Sequence, residues 1–218
     1  MKLEVLTVGP LAVRCYLVIC PETKETAIID PGGDEGRILE RVRELELTPK
    51  YILATHGHAD HVAGAWWLRR KLRIPVAMHE ADDRFFRQME AAAIFSAWGF
   101  EPNEPADILL KEGDSIPIGQ KVRLTVLHTP GHSPGSVCFY DGEKYLFTGD
   151  TLFVGGIGRT DLPGGDFEQL LRSIRDKILP LPEKTIICPG HHYGDQPFST
   201  LAREKETNPY IVEFILGR

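Results

Sequence analysis

Seven consecutive residues, Thr55-His56-Gly57-His58-Ala59-Asp60-His61, constrain this chain more than any other stretch. Ahead of them Tyr51-Ile52-Leu53-Ala54 reads as a short buried strand, and after them Val62 to Leu72 reads as a helix. The cluster therefore sits at a strand-to-helix turn, where backbone leaving a strand end can aim several side chains into one cavity. A loop that only caps a helix needs one polar side chain, whereas three imidazoles side by side repel one another on protonation. Imidazole and carboxylate are borderline ligands suited to zinc, iron or manganese, so the density of the cluster points to a metal or to catalysis.

The same event recurs along the chain. Val122 to Leu127 reads as a strand running into His128-Thr129-Pro130-Gly131-His132. Tyr145 to Thr148 runs into Gly149-Asp150, and Thr185 to Cys188 into Pro189-Gly190-His191-His192-Tyr193. Four strand ends thus deliver histidines and aspartates: His56, His58, Asp60 and His61, then His132, Asp150 and His191. Five imidazoles and two carboxylates on one rim are enough to hold two metals with an open position on each.

The rest of the chain is ordinary. With 218 residues, 42% hydrophobic and 26% charged, it can bury a full core as one large domain or two tightly packed halves. No apolar run approaches the ~20 residues that span a bilayer. Met1-Lys2-Leu3-Glu4-Val5 has no apolar signal-peptide core after it. A net charge of −6 leaves no basic footprint for nucleic acid or an anionic membrane, and association into a homo-oligomer stays open. Cys15, Cys20, Cys138 and Cys188 are scattered through strand-like apolar runs with no C-x-x-C spacing, which predicts buried, unpaired thiols and a reducing, cytoplasmic setting.

Between these points the chain reads as follows. Val5 to Val8, Tyr16 to Ile19 and Thr26 to Asp30 are strands of a meander, and Asp30 either supports a site or forms an Asx turn. Asp34 is expected to cap a helix striped by Ile38, Leu39, Val42 and Leu45. His79, at the end of another strand, reads as a structural histidine. Residues 82–99 read as a helical insertion whose Phe85, Phe86, Met89, Ile94, Phe95 and Trp98 are either local packing or a lid. Asp141-Gly142 marks a hairpin turn, and a glycine-rich loop covers Val154 to Asp161. Asp166, with Gln169 three residues on, opens a helix, and a last helix covers roughly Ser199 to Thr207.

The run Thr-His-x-His-x-Asp-His at 55–61, followed by Pro130-Gly131-His132-Ser133-Pro134-Gly135-Ser136, Thr148-Gly149-Asp150 and Pro189-Gly190-His191, resembles the metallo-β-lactamase superfamily across nearly the whole chain. Within it, Gly158-Arg159, His191-His192-Tyr193 and Glu204-Lys205 with Asn208-Pro209 resemble the short bacterial glyoxalase-II-like hydrolases. The resemblance implies an α/β fold, an αββα four-layer sandwich. It would be a single domain over 1–218 with two similar halves (about 1–120 and 121–218), interrupted by the 82–99 insertion. It implies two divalent ions, zinc first with iron or manganese as alternatives. His56, His58 and His132 would hold one, Asp60, His61 and His191 the other, and Asp150 would bridge them. His192 stands where the family usually has another residue, and the Pro-Gly-His alignment favours its neighbour His191.

The implied chemistry is hydrolysis of a small-molecule thioester, such as an S-2-hydroxyacylglutathione, by a hydroxide bridging the metals. Asp60 would also orient the nucleophile or shuttle its proton. Tyr193 matches a glutathione-contacting tyrosine, and Arg159 and Lys144 offer positive charge for an anionic thiol carrier. Arg159 can equally be an ion-pair partner of Asp161, and Lys144 a solvated turn residue. The chain stops at Arg218 without most of the C-terminal helical region by which full-length glyoxalase II grips glutathione. A rival reading from the same fold is a persulfide dioxygenase, with one iron on His56, His132 and Asp150. A third, from another class, is a metal-holding scaffold without turnover, against which the complete ligand set speaks.

Overall fold

A computed structural model of the protein describes residues 1–88, 93, 96, 97 and 99–218. The first half builds β1 (Lys2–Val8), β2 (Val13–Ile19), β3 (Glu25–Ile29), α1 (Glu35–Glu44), β4 (Thr48–Leu53), α2 (Ala59–Val62), α3 (Ala65–Leu72), β5 (Val76–His79), α4 (Glu80–Phe85) and β6 (Ile108–Leu110). These six strands form one sheet in sequence order. The meander β1-β2-β3 pairs antiparallel, and β3 to β6 continue parallel through helical crossovers.

The second half adds β7 (Ser115–Ile118), β8 (Val122–His128), β9 (Val137–Tyr140), β10 (Tyr145–Gly149), a short hairpin of β11 (Leu152–Phe153) and β12 (Gly156–Ile157), α5 (Phe167–Ser173), β13 (Ile186–Pro189), β14 (Ser199–Thr200) and α6 (Leu201–Thr207). Its sheet runs β14-β13-β10-β9-β8-β7, with β13 inserted parallel to β10 after the α5 crossover. A π-helical turn, Ile174–Ile178, extends α5, and a second, Tyr210–Ile215, follows α6.

Strand β2 shows why the sheets stack. Its VRCYLVI run is buried at every position. Alternate side chains leave opposite faces, so Cys15, Leu17 and Ile19 meet Ile38, Leu39 and Val42 of α1 and Trp66 and Leu68 of α3, while Tyr16 and Val18 point the other way. There they meet Leu124, Val126, Phe139 and Phe147 of the second sheet. On that sheet's far side Cys138, Leu146 and Ile187 pack against Leu170, Ile174, Leu201 and Ile211. Helices, sheet, sheet and helices make the four layers that the sequence resemblance implies. All four cysteines are free and buried.

Local departures have local causes. The helix expected over Val62 to Leu72 is broken after α2, because the Gly64 N–H bonds the Pro31 carbonyl (2.9 Å) before α3 begins. Asp34 precedes α1 but is left-handed and does not cap it; its carboxylate accepts the Gly9 N–H instead (3.0 Å). Asp166 caps α5 as expected, through the Gln169 N–H (2.8 Å). Ser199 and Thr200 pair with Ile187 and Ile186 as an edge strand, so the last helix starts at Leu201, and the turn at Tyr210–Ile215 carries no cue that the sequence reading used. Met89, Ile94, Phe95 and Trp98 of the expected insertion lie outside the described residues. Phe86 is buried against Ala59 and, edge-on, against His58 (ring centroids 5.2 Å). No described helix is long and apolar enough to cross a membrane.

Candidate metal centre

The parallel strands β3, β4, β10 and β13 end at one rim of the sandwich, and each sends a His or Asp beyond its last paired residue. His56, His58, Asp60 and His61 follow β4, Asp150 follows β10, and His191 follows β13. The loop between β8 and β9 supplies His132. Their ligand atoms fall into three groups, each within 4.8 Å: His56-His58-His132, His56-His61-Asp150 and Asp60-His61-His191. The seven residues that the sequence points to are therefore together. His61 and Asp150 stand at the centre, with His61 Nε2 3.3 Å from Asp150 Oδ1 and 3.2 Å from His191 Nε2. Asp60 Oδ2 lies 3.4 Å from His191 Nε2, and Asp150 Oδ2 lies 3.8 Å from His132 Nε2.

The far side of the rings decides whether this set fits a cation. Nδ1 of His132 lies 2.7 Å from the Arg159 carbonyl, Nδ1 of His191 lies 3.1 Å from the Leu11 carbonyl, and Nδ1 of His61 lies 3.0 Å from Asp30 Oδ2. Each of these partners only accepts, so Nδ1 of each ring carries a hydrogen and Nε2 is the atom turned inward. Nε2 of His61 and Nε2 of His191 face each other 3.2 Å apart, so positive charge, as a proton or a cation, has to lie between them. His58 Nδ1 is likewise faced by His132 Nε2 (2.8 Å) and His56 Nε2 (3.0 Å), and its single hydrogen could serve only one. The donor set fits cations, and its three overlapping groups, spread over seven residues, suggest a dinuclear site.

The electrostatics agree. Burial, and the charge that neighbouring imidazoles would add, hold His56 and His58 well below the usual histidine range, and burial lowers His132. All three are neutral and ready to ligate at neutral pH. Burial also pushes His61 down, but the carboxylates of Asp150, Asp60 and Asp30 outweigh it and pull the ring well above 6.5. For Asp150 and Asp60, burial raises the carboxyl, and the surrounding imidazoles outweigh it and lower both, so each is ionised.

Asp30 resolves in favour of support for the site. One oxygen accepts the Thr55 N–H (2.7 Å) and the other the Thr55 hydroxyl (2.6 Å), the latter also meeting His61. Asp30 has φ of 50°, a left-handed backbone that Asp tolerates better than most residues. Gly190 is needed for space, since a Cβ there would fall on Asp150 Oδ1 and on Cε1 of the His61 ring.

The residues singled out for substrate divide. Tyr193 is 69% exposed and stacks on His191, with centroids 4.9 Å apart and planes 6° apart. Arg159 makes a bidentate pair with Asp161 (both 2.7 Å), and with Asp150 and Tyr193 it lines a cleft of about 380 Å³. His192 is exposed beside His191. Lys144 is a correction. It precedes β10, at the end of the strand opposite Asp150, and shares a different cavity with Met1, Lys121 and Glu143, because the Asp141 carboxylate takes the turn N–H groups of Glu143, Lys144 and Tyr145 there. At ~3.3 Å per strand residue this removes Lys144 from the metal ligands by on the order of 15–20 Å.

One buried carboxylate was not singled out. Asp82, on α4, is fully buried and accepts the Gly57 N–H (2.8 Å), the Ser133 hydroxyl (2.7 Å) and the Gly135 N–H, bracing the His56–His58 turn against the His132 loop. Burial lifts its carboxyl to about 6. The pattern of acids just past strand ends, applied to β5, would have found it three residues beyond His79.

The chain is 39% identical to the hydroxyacylglutathione hydrolase GloC of Haemophilus influenzae, over 97% of this chain and 98% of that one. It is 34% identical to the mitochondrial persulfide dioxygenase ETHE1 of Bos taurus, over 90% of this chain and 70% of that one. Among solved structures it superposes on TTHA1623 in a di-iron-bound form with a TM-score of 0.81 at 38% identity, covering 95% and 99% of the two chains. Residues 8–191, which span every candidate ligand, match the family model, and the chain belongs to the metallo-beta-lactamase superfamily.

Proposed function

We propose that this protein is a binuclear metal-dependent hydrolase that cleaves a thioester, with an S-2-hydroxyacylglutathione as the model substrate. The observation that carries the reading is the Asp60-His61-His191 group beside His56-His58-His132, because a single-ion enzyme has no need of it. The 39% identity to a hydroxyacylglutathione hydrolase over nearly all of both chains supports the same substrate class. Two divalent ions, zinc first and iron or manganese as alternatives, would supply Lewis acidity that makes water nucleophilic near pH 7 and polarises a carbonyl.

The chain's own residues do the rest. Asp150 stands between the two groups, 3.3 Å from His61 and 3.8 Å from His132, so it ties one to the other. Asp60, ionised and 13% exposed, offers Oδ2 at the mouth of the site as a proton acceptor. A thiolate leaves without protonation, so the site needs no further acid. Tyr193 and Arg159 border the cleft that opens beside Asp150 and are the side chains placed to meet the thiol portion. The cell compartment proposed is the cytoplasm, and the partner proposed is the small-molecule thioester, with no nucleic acid or membrane and with self-association left open.

The 34% identity to a persulfide dioxygenase favours a second reading, with one iron on His56, His132 and Asp150. Elemental analysis of the purified protein, paired with S-lactoylglutathione turnover under air, separates the two. About two metals per chain with thioester cleavage supports the hydrolase. One iron, no cleavage and oxygen uptake with glutathione persulfide overturns it. Metal without turnover of either substrate favours the scaffold.

A further inference from the structure

The cleft beside Asp150 has one wall that no side chain of its own can hold. That wall is the backbone of Gly155 and Gly156 at the tip of the β11–β12 hairpin, which has two residues per strand. A two-stranded hairpin is at best marginally stable by itself, so its position must be set from elsewhere. Leu152, Phe153 and Val154 are buried and seat the hairpin, but Gly155, with φ of 72°, has no side chain to fix its own peptide group.

The anchor comes from the C-terminal segment. Glu204 and Asn208, one turn apart at the end of α6, are both 0% exposed. Glu204 Oε2 accepts the Gly155 N–H (2.8 Å) and one hydrogen of the Asn208 amide (2.9 Å). The other hydrogen of that amide goes to the Gly156 carbonyl (3.1 Å), and its oxygen accepts the Tyr210 N–H (3.2 Å). Tyr210 is itself part of the cleft lining. One carboxylate and one amide therefore fix both peptide groups of the wall and the entry of the tyrosine across from it. Glu204 Oε1 is buried with no hydrogen-bond partner among the described residues. A buried carboxylate half satisfied in this way is costly for stability, and a glutamine of the same shape would remove the charge but leave its NH₂ unpartnered in the same place.

We propose that Glu204 and Asn208 are positioning residues for substrate binding: they hold the Gly155–Gly156 wall and Tyr210 in register beside Asp150, and so set affinity for substrate without taking part in metal binding. The proposal rests on the reading of the cleft as the thioester site. Neither residue is among the candidate metal ligands, and both act through backbone that borders the cleft. This also gives a purpose to the Glu204 and Asn208 spacing, which the metal centre leaves unexplained.

The test uses the metal-loaded, full-length protein and its Glu204→Ala, Glu204→Gln and Asn208→Ala variants. Expected for both alanine variants are a KM for S-lactoylglutathione raised about tenfold or more, kcat within about threefold, and metal content unchanged. Glu204→Gln, whose amide oxygen can accept the same two hydrogens, restores KM even where its unpartnered NH₂ lowers the melting temperature. Hydrogen exchange at Gly155 and Gly156, independent of activity, is expected to accelerate in Glu204→Ala and not in Glu204→Gln. Wild-type KM in the alanine variants, or loss of kcat and metal together, overturns the proposal. Wild-type exchange at the glycines in Glu204→Ala overturns it whatever the substrate. Absence of thioester turnover in the unmutated enzyme defeats the hydrolase reading instead, and exchange then decides the clamp by itself.

Discussion

Asp30 Oδ2 lies 3.0 Å from Nδ1 of His61, so the residue just past one strand fixes a ring 31 positions away on its parallel neighbour's loop. The same carboxylate secures Thr55, which in turn meets Nδ1 of His56 (3.1 Å). Two candidate ligands, one in each metal group, thus take their orientation from a side chain that is not itself in either group. Asp30→Ala is expected to weaken metal binding roughly 10–100-fold, the usual effect of removing a partner behind a ligand. Elemental analysis after dialysis against a graded chelator would read the loss. Unchanged retention would show that Asp30 serves only the backbone turn.

Asp82 is met by three donors, two of them backbone N–H groups that cannot reverse. Asp82→Asn would set an amide NH₂ against at least one of them, leaving a buried donor unmade at a cost of about 1–3 kcal/mol. A melting temperature lowered by several degrees is expected, with metal lost preferentially from the His56-His58-His132 group. Equal stability of the asparagine variant would remove Asp82 from the brace.

His79 and His128 stack face to face, with centroids 4.0 Å apart and planes 10° apart, and join the first sheet to the second. Burial, then the charge His128 would carry, lowers His79 to about 4, although Glu80, Glu112 and Asp114 pull the other way. The folded value lies below the ordinary 6.5, so the unfolded chain binds the extra proton. This contribution to stability is complete above pH 6.5 and is lost as pH falls towards 4. His79→Asn, which keeps an acceptor for the Ala81 N–H, is expected to flatten the fall in melting temperature across that window relative to the wild type. An identical slope in both would refute the assignment.

Asp150→Ala is expected to abolish thioester hydrolysis and lower metal content together, since both groups lose their shared carboxylate. Full activity with intact loading would remove Asp150 from the centre.

Gly190→Ala inserts a methyl where Asp150 and His61 come together. Metal affinity should fall while the sheet pairing at β13 survives, giving a folded protein by circular dichroism with depleted metal. Normal loading would mean that the rim can yield.

The metal-site residues were legible because each follows a strand whose apolar run is unmistakable: three imidazoles after Leu53, a lone acid after Gly149 and a histidine after Pro189. The four layers were legible less from periodicity than from the family resemblance, since a fully buried run such as that of β2 has no alternation to read. Three features escaped. Gly64 breaks a helix by giving its N–H to Pro31, a partner 33 positions away. Asp82 and the Glu204–Asn208 pair do their work on backbone groups of distant loops, and no local pattern announces a hydrogen bond to a distant peptide. Lys144 takes the second of its two readings, a solvated turn residue, because it lies at the end of β10 opposite Asp150.

The candidate ligands span residues 56 to 191 of 218, and His191 is turned by a carbonyl at Leu11. During synthesis, therefore, the first three histidines emerge more than a hundred residues before the last, and the Asp60-His61-His191 group cannot close until β13 has left the ribosome and paired beside β10. A nascent chain has a partial trap for metal long before it has an enzyme. Completion of the second group is thus a late event in the birth of the molecule, and a chain cut short between residues 61 and 191 would carry the opening ligands with no means of finishing the pair.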